Sequence, residues 1–281
     1  MMKRICYLLL TSILLMLSAC VSTQSIQEYS AYSRATIEQT RPAAKDFHQS
    51  CLRSNRYKPY SDYSKCSSEQ EAANGIIEVA SVLDAYTAAL GALSSNGLTD
   101  YNPDINNLST QIKKINGLDD AKIDAIAKLA ILIANYATSG YQQNKIGQFM
   151  ADADASVLKV SEILADVIST NYATAIRYEI SAWESAYKSL EKSARISSDI
   201  DTRLAWEHYA QTQWKQRAEL DARLIATSNL AERLKSIGIT HHHLTQDAAE
   251  LDSKEVQAIV NSFITSTKPV IADIQAAFSE K

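Results

Sequence analysis

Along most of the chain apolar residues return every three or four positions, and no stretch of useful length alternates, so the pattern is that of helices with one buried face. It is clearest between 152 and 196, where neither glycine nor proline interrupts. Ala153, Val157, Val160, Leu164 and Val167 make one stripe, and Ile176, Ile180, Trp183, Tyr187 and Leu190 make a second in shifted phase. The slip near Asn171 predicts a bundle helix rather than one continuous heptad, with Ser169-Thr170-Asn171 as the place where it divides. Unbroken, it would span about 65 Å. A polar turn follows, and a second long helix is predicted over 199–237, with Leu204, Trp214, Leu220, Leu224, Leu230 and Leu234 on its stripe and Gly238 as its stop. Asp252-Ser253-Lys254-Glu255 opens a final helix that buries Val256, Ile259, Phe263, Ile264, Val270, Ile271 and Ile274 and is kinked or broken at Pro269.

The first half reads the same way. Ser25-Ile26-Gln27-Glu28 has the form of a capping box, which predicts a helix from about Ile26 toward Leu52, bent near Pro42. Residues 53–65 break the pattern. A second helix is predicted from Ser67 or Ser68 to near Gly97, and a short one from Asn102-Pro103 to Asn116, ended by Gly117. Asp119 then caps a helix through the most apolar window, Ala125 to Ala137, which contains Lys128 and Asn135 and is too short for the ~20 residues of a membrane span. The fold class is all-α, an elongated bundle of about six or seven helices with a long antiparallel hairpin over 152–196 and 199–237.

The start of the chain has another character. Lys3 and Arg4 precede an apolar run from Ile5 to Leu17, shorter than a span and of the length of a secretory h-region. It ends in Leu17-Ser18-Ala19-Cys20, which resembles the lipobox of bacterial lipoproteins. That resemblance covers this segment alone. It implies that residues 1–19 are a removed signal peptide, that Cys20 bears the lipid, and that 20–24 form a short tether before a helical domain over 25–281. The tether reaches at most ~14 Å, which keeps the body near its membrane. In lipoproteins of two-membrane bacteria an aspartate after the cysteine usually retains the protein in the inner membrane. Here that position is Val21, so the resemblance implies the outer membrane, facing the periplasm.

Loss of Lys3 and Arg4 moves the net charge from −4 to −6, an acidic balance that argues against nucleic acid as a partner. With Cys6 removed and Cys20 acylated, Cys51 and Cys66 are the remaining thiols. An exported chain meets an oxidising compartment, so these two are expected to pair. Between them lies the one stretch whose composition departs from its surroundings. Arg53, Arg56, Lys58 and Lys65 face a single acid, Asp62, while Tyr57, Tyr60 and Tyr63 recur every third residue. They are the candidate contacts for an anionic polymer or an envelope protein, at the end far from the membrane; the plainer alternative is a solvated loop whose tyrosines pack on the bundle.

The remaining chemistry is sparse. Adjacent histidines in a helix diverge by about 100°, so His241-His242-His243 is a poor chelate, and only His243 has an acid four residues on, Asp247. None of the five histidines has a glutamate three residues before it, and HExxH, G-x-S-x-G and phosphate-cradling loops are absent, so no catalytic, metal or cofactor residues are assigned. Tyr172, Tyr178, Trp183, Tyr187, Trp206, Tyr209 and Trp214 on the hairpin read either as core or as the lining of an apolar pocket. The expectation is a tethered, non-enzymatic structural, adaptor or inhibitor and immunity-type module of the cell envelope. The alternative is a carrier holding a lipid or other amphiphile between its helices.

Overall fold

The computed structural model describes residues 23–57, 66–95, 105–138, 146–246 and 253–278. Helix α1 covers 23–38, followed by α2 (Thr40–Arg56), α3 (Ser67–Ser94), α4 (Ile105–Ile112), α5 (Asp120–Thr138), α6 (Ile146–Val167), α7 (Ala173–Arg195), α8 (Ile200–Gln246) and α9 (Ser253–Phe278). A π-helical turn, Ile168–Tyr172, joins α6 to α7. The all-α bundle expected from the periodicity is what forms. The Asn171 phase slip is this π turn: its wider loop inserts extra chain into one rod and rotates the buried stripe, so the helix continues instead of dividing.

Several ends fall elsewhere than predicted. The chain is already helical at residue 23, so Ser25 is a buried position inside α1 rather than its cap. Pro42 has no N–H to give, and the chain tightens just before it, with the Gln39 amide bonding the Thr36 carbonyl at 3.1 Å before α2 resumes. Gly117 does end its segment with φ +90°, and Asp119 does cap α5, accepting from the Lys122 amide at 2.9 Å. Asp199 caps α8 in the same way through the Thr202 amide.

Gly238 does not stop α8, which runs on to Gln246. The residue is there for closeness. A Cβ on it would stand 3.0 Å from both Leu158 Cα and Ser161 Cβ, so glycine lets α8 lie against α6. Pro269 lies inside a continuous α9, where Arg233 of α8 donates to the Ser266 carbonyl at 3.2 Å, one turn from the proline.

The core takes Ile76, Val79, Leu83 and Leu90 from α3, Ile126, Leu129 and Ile133 from α5, Val157, Val160 and Leu164 from α6, and Leu230, Leu234 and Ile237 from α8. The Ala125–Ala137 window, too short for a span, lies in α5 with Ile126, Leu129 and Ile133 buried, but helix α3 does have the length and composition of a membrane span, with a mean hydropathy of 1.5 over eighteen residues. Its Ile76, Val79, Leu83, Tyr86 and Leu90 are shut inside the bundle, so it is apolar because it is the central helix.

The order of contacts sets the long axis. Gln27 of α1 bonds the Ser94 carbonyl at the end of α3, and Tyr29 bonds the Ile237 carbonyl of α8. Farther along α1 and α2, Arg53 reaches Glu179 of α7, and Tyr57 receives a bond from Gln216 of α8. Helices α1 and α2 therefore run as one column antiparallel to α8. Residue 23 is at one end and the Cys51–Cys66 disulfide is toward the other, with an S–S distance of 2.10 Å.

Candidate binding surface

Among the described residues, only α7, α8 and their turn continue beyond the level of Tyr57. From Gln216 back to Ile200 the hairpin extends about 24 Å farther. Between 184 and 219 only Ala194, Trp206 and Ala210 are buried, and with the half-buried Tyr187 they make a small core separate from that of the body. The arm is thus a two-helix projection that cannot enclose its own apolar side chains. Leu190 is 49% exposed, Ile196 80%, Ile200 54%, Leu204 62% and Trp214 66%. The sequence stripe placed Leu204 and Trp214 on the buried side of the second long helix. Both are largely exposed instead, while Leu220, Leu230 and Leu234 are buried as expected.

The arm is stiffened along its middle by aromatic rings. Trp183 stacks on Tyr187 at 5.0 Å, Tyr187 meets Trp206 at 5.1 Å, and Trp206 meets Tyr209 at 5.6 Å. Trp183 also donates its indole N–H to Gln213 of α8 at 2.9 Å. Open grooves of about 400 Å³ flank this ladder. One is apolar, lined by Leu190, Ala194, Ala205, Trp206 and Tyr209. The other, bounded by Trp183, Tyr187 and Trp214, is rimmed by Glu184, Lys188 and Arg217. The remaining candidate aromatics part company: Tyr172 is fully buried in the body, and Tyr178 is 70% exposed.

The basic loop is changed more. Arg53 is not a loop cation; it belongs to α2 and is turned inward, where it bonds Asp46 at 2.8 and 3.0 Å and Glu179 at 2.6 and 3.0 Å. Ser50 donates to Glu179 at 2.8 Å, and Tyr172 at the end of the π turn donates to Asp46 at 2.5 Å. Arg223 of α8 stands 3.8 Å from Asp46. Burial works against the charge on Arg53, yet its bonds to the two carboxylates hold it protonated beyond its usual range. Burial likewise favours the neutral form of Asp46, but Arg53 and Arg223 hold its carboxyl below the ordinary value. Arg53 is therefore spent on joining α2 to α7, and Arg223 brings α8 to the same Asp46. Arg56 is exposed and Tyr57 half-buried, whereas Lys58, Tyr60, Tyr63 and Lys65 lie outside the described residues, as does Cys20.

Asp154 of α6 is the site residue that sequence reasoning missed. Its two oxygens receive His241 Nδ1 at 3.1 Å and His242 Nδ1 at 2.7 Å, and the other nitrogen of His241 faces the Tyr86 hydroxyl at 2.5 Å. Adjacent histidines point apart, but one carboxylate between them meets both. Burial lowers the pKa of His241, so the neutral imidazole fits with Nδ1–H donating to Asp154 and Nε2 accepting from Tyr86. Burial opposes the charge of Asp154 too, and bonds from His241, His242 and Thr245 nevertheless hold it at about 2. Tyr86 and His241 are fully enclosed, which makes this relay of proton-carrying groups an internal strut of α3, α6 and α8. No spacing rule could have paired 154 with 241 and 242. No family model matches this chain, and no curated protein or solved structure is significantly similar to it.

Proposed function

We propose that this protein is an exported lipoprotein, anchored through Cys20 in the outer membrane, whose helical body is a spacer holding the α7–α8 arm out for a protein partner in the cell envelope. The observation behind this reading is the arm itself. It stands at the opposite end of the long axis from residue 23, with about 55 Å of α8 between Ile237, at the level of Tyr29, and Ile200 at the turn. An exposed set of Leu190, Ile196, Ile200, Leu204 and Trp214 on a projection is the kind of surface that a partner covers. The Cys51–Cys66 bridge suits an oxidising compartment. The grooves beside the arm are open to solvent, which suits a protein surface better than a carrier's enclosed cavity.

Two measurements test this reading. Metabolic labelling with palmitate should mark the protein and be lost in Cys20→Ala, which should leave the membrane fraction; label persisting in that variant removes the tether. A photoreactive amino acid at Ile196 should give one discrete adduct in intact envelopes, and the same group at exposed Lys128 of the body should give none. Equal adducts from both positions would show that the arm has no special role.

A further inference from the structure

The end of α2 is held from two sides. Toward α3 it is fastened by the Cys51–Cys66 bridge, because Cys66 is the residue immediately before that helix. Toward the arm, Arg53 of its last turn bonds Glu179 of α7, and Tyr57, just past the helix, accepts from Gln216 of α8. Beyond the rod that it continues from α6, helix α7 packs on α2 and α8. Helix α8 runs on into the arm with it, so α2 is the support that stays in the body. Arg53 and Tyr57 come two and six residues after Cys51. With the bridge closed, the turn that bears both contacts is pinned to α3. With it open, that turn is a helix end held by side-chain bonds, where fraying begins.

The bridge is also asymmetric in a way that thiol exchange uses. Cys51 is partly exposed, whereas Cys66 is 1% exposed. An incoming thiolate therefore meets the Cys51 sulfur, and the Cys66 sulfur departs. The departing sulfur is the better supported of the two as a thiolate. It stands at the N-terminus of a 28-residue helix, and the Asn55 side-chain amide donates to it at 3.2 Å, against 3.9 Å to the Cys51 sulfur. Glu69 acts in the other direction, since a carboxylate oxygen within 4.8 Å of both sulfurs repels charge on either.

We propose that the Cys51–Cys66 disulfide is opened by a dithiol reductant and that its opening loosens the arm. A thiolate of the reductant attacks Cys51 Sγ and forms a mixed disulfide as the Cys51–Cys66 bond breaks; the electron pair stays on Cys66 Sγ, which is then protonated from water. The second thiolate of the reductant attacks the reductant sulfur of the mixed disulfide and releases Cys51, so the reductant leaves as a disulfide and the protein keeps two thiols. Arg53 and Tyr57 are then on an unpinned helix end, and the base of α7 loses a fixed support. The consequence for binding rests on the reading of the arm as the partner-binding end, while the exchange stands on the bridge itself.

The test uses the purified full chain with the bridge closed. A pulse of glutathione followed by alkylation should leave glutathione on Cys51 and the alkyl group on Cys66, read by peptide mass spectrometry. The reverse assignment overturns the proposed exchange. Reduction by dithiothreitol should slow by at least about threefold in Asn55→Ala and quicken by at least about twofold in Glu69→Gln. Rates that fail to move in these directions overturn Cys66 as the leaving group. In excess dithiothreitol, amide hydrogen exchange should rise by at least about tenfold across residues 184–219 and in the last turn of α2, while α5 and α6 keep their protection. An unchanged arm overturns the coupling, and so does protection lost throughout the chain, because the bridge is then a staple of the entire fold. None of these measurements needs lipid on Cys20 or a bound partner, so failure of the tether or of the partner and failure of the clamp give separate results.

Discussion

Arg53 and His241 show what single side chains do in this protein. Arg53 lies between two carboxylates, and Glu179 is fully buried. Arg53→Met keeps the aliphatic stem but strands that charge, and should cost about 3–5 kcal/mol in urea unfolding, whereas Arg56→Met on the exposed side should cost under about 0.5 kcal/mol. At His241 the consequence is a pH dependence. Its folded pKa lies below the ordinary 6.5, so the unfolded chain takes up a proton that the folded chain refuses, and stability falls as pH drops below 6.5. The slope can reach about 1.4 kcal/mol per pH unit, and it ends where the folded protein itself takes the proton. Asp154, held near 2 in the fold, adds a second loss as pH falls from 3.8. Melting temperatures from pH 7.5 to 5 should therefore decline in the native protein and decline less in His241→Gln.

Among the helices, α8 meets the most different demands. Its inner stripe builds the core, Gly238 admits α6 at backbone distance, and its first half is apolar on the outside as well. Gly238→Val should force the two helices apart and destabilise by about 1–3 kcal/mol, even though valine is only a moderate penalty to an exposed helix. At a helix stop valine would also have been costly, but through the positive φ of a left-handed cap and not through crowding against α6. The sequence pattern located the hairpin but took this glycine for its terminus. A glycine's two uses, a left-handed cap and a close approach, look alike until the neighbour is known; Gly117, with φ +90°, is the first kind and Gly238 the second.

On the scale of the molecule, a body closed by a disulfide supports an arm that is not closed at all. The Cys51–Cys66 bridge encloses a separation of 15 residues, and replacing both cysteines by serine should remove about 3 kcal/mol by the chain-entropy estimate. Unfolding followed at Trp183 and Trp206 should begin before the loss of total helicity, because the arm core of Ala194, Trp206 and Ala210 is far smaller than that of the body. Coincident transitions by both signals would show that arm and body unfold as one unit.

Periodicity and punctuation by themselves determined the all-α class, the long hairpin, the place of the phase slip and the cap at Asp119, because these depend on neighbours within one or two turns. The disulfide was also legible, since two thiols were left to pair. The contacts between distant segments were decided only by the tertiary structure. They include Asp154 set between His241 and His242, Arg53 drawn inward to Asp46 and Glu179, and Leu204 and Trp214 turned to solvent. A helical stripe states which residues share a face. Which face meets the rest of the protein depends on how far each neighbour extends, and here α7 and α8 outrun every other described helix, so side chains with the periodicity of a core are left uncovered at the tip.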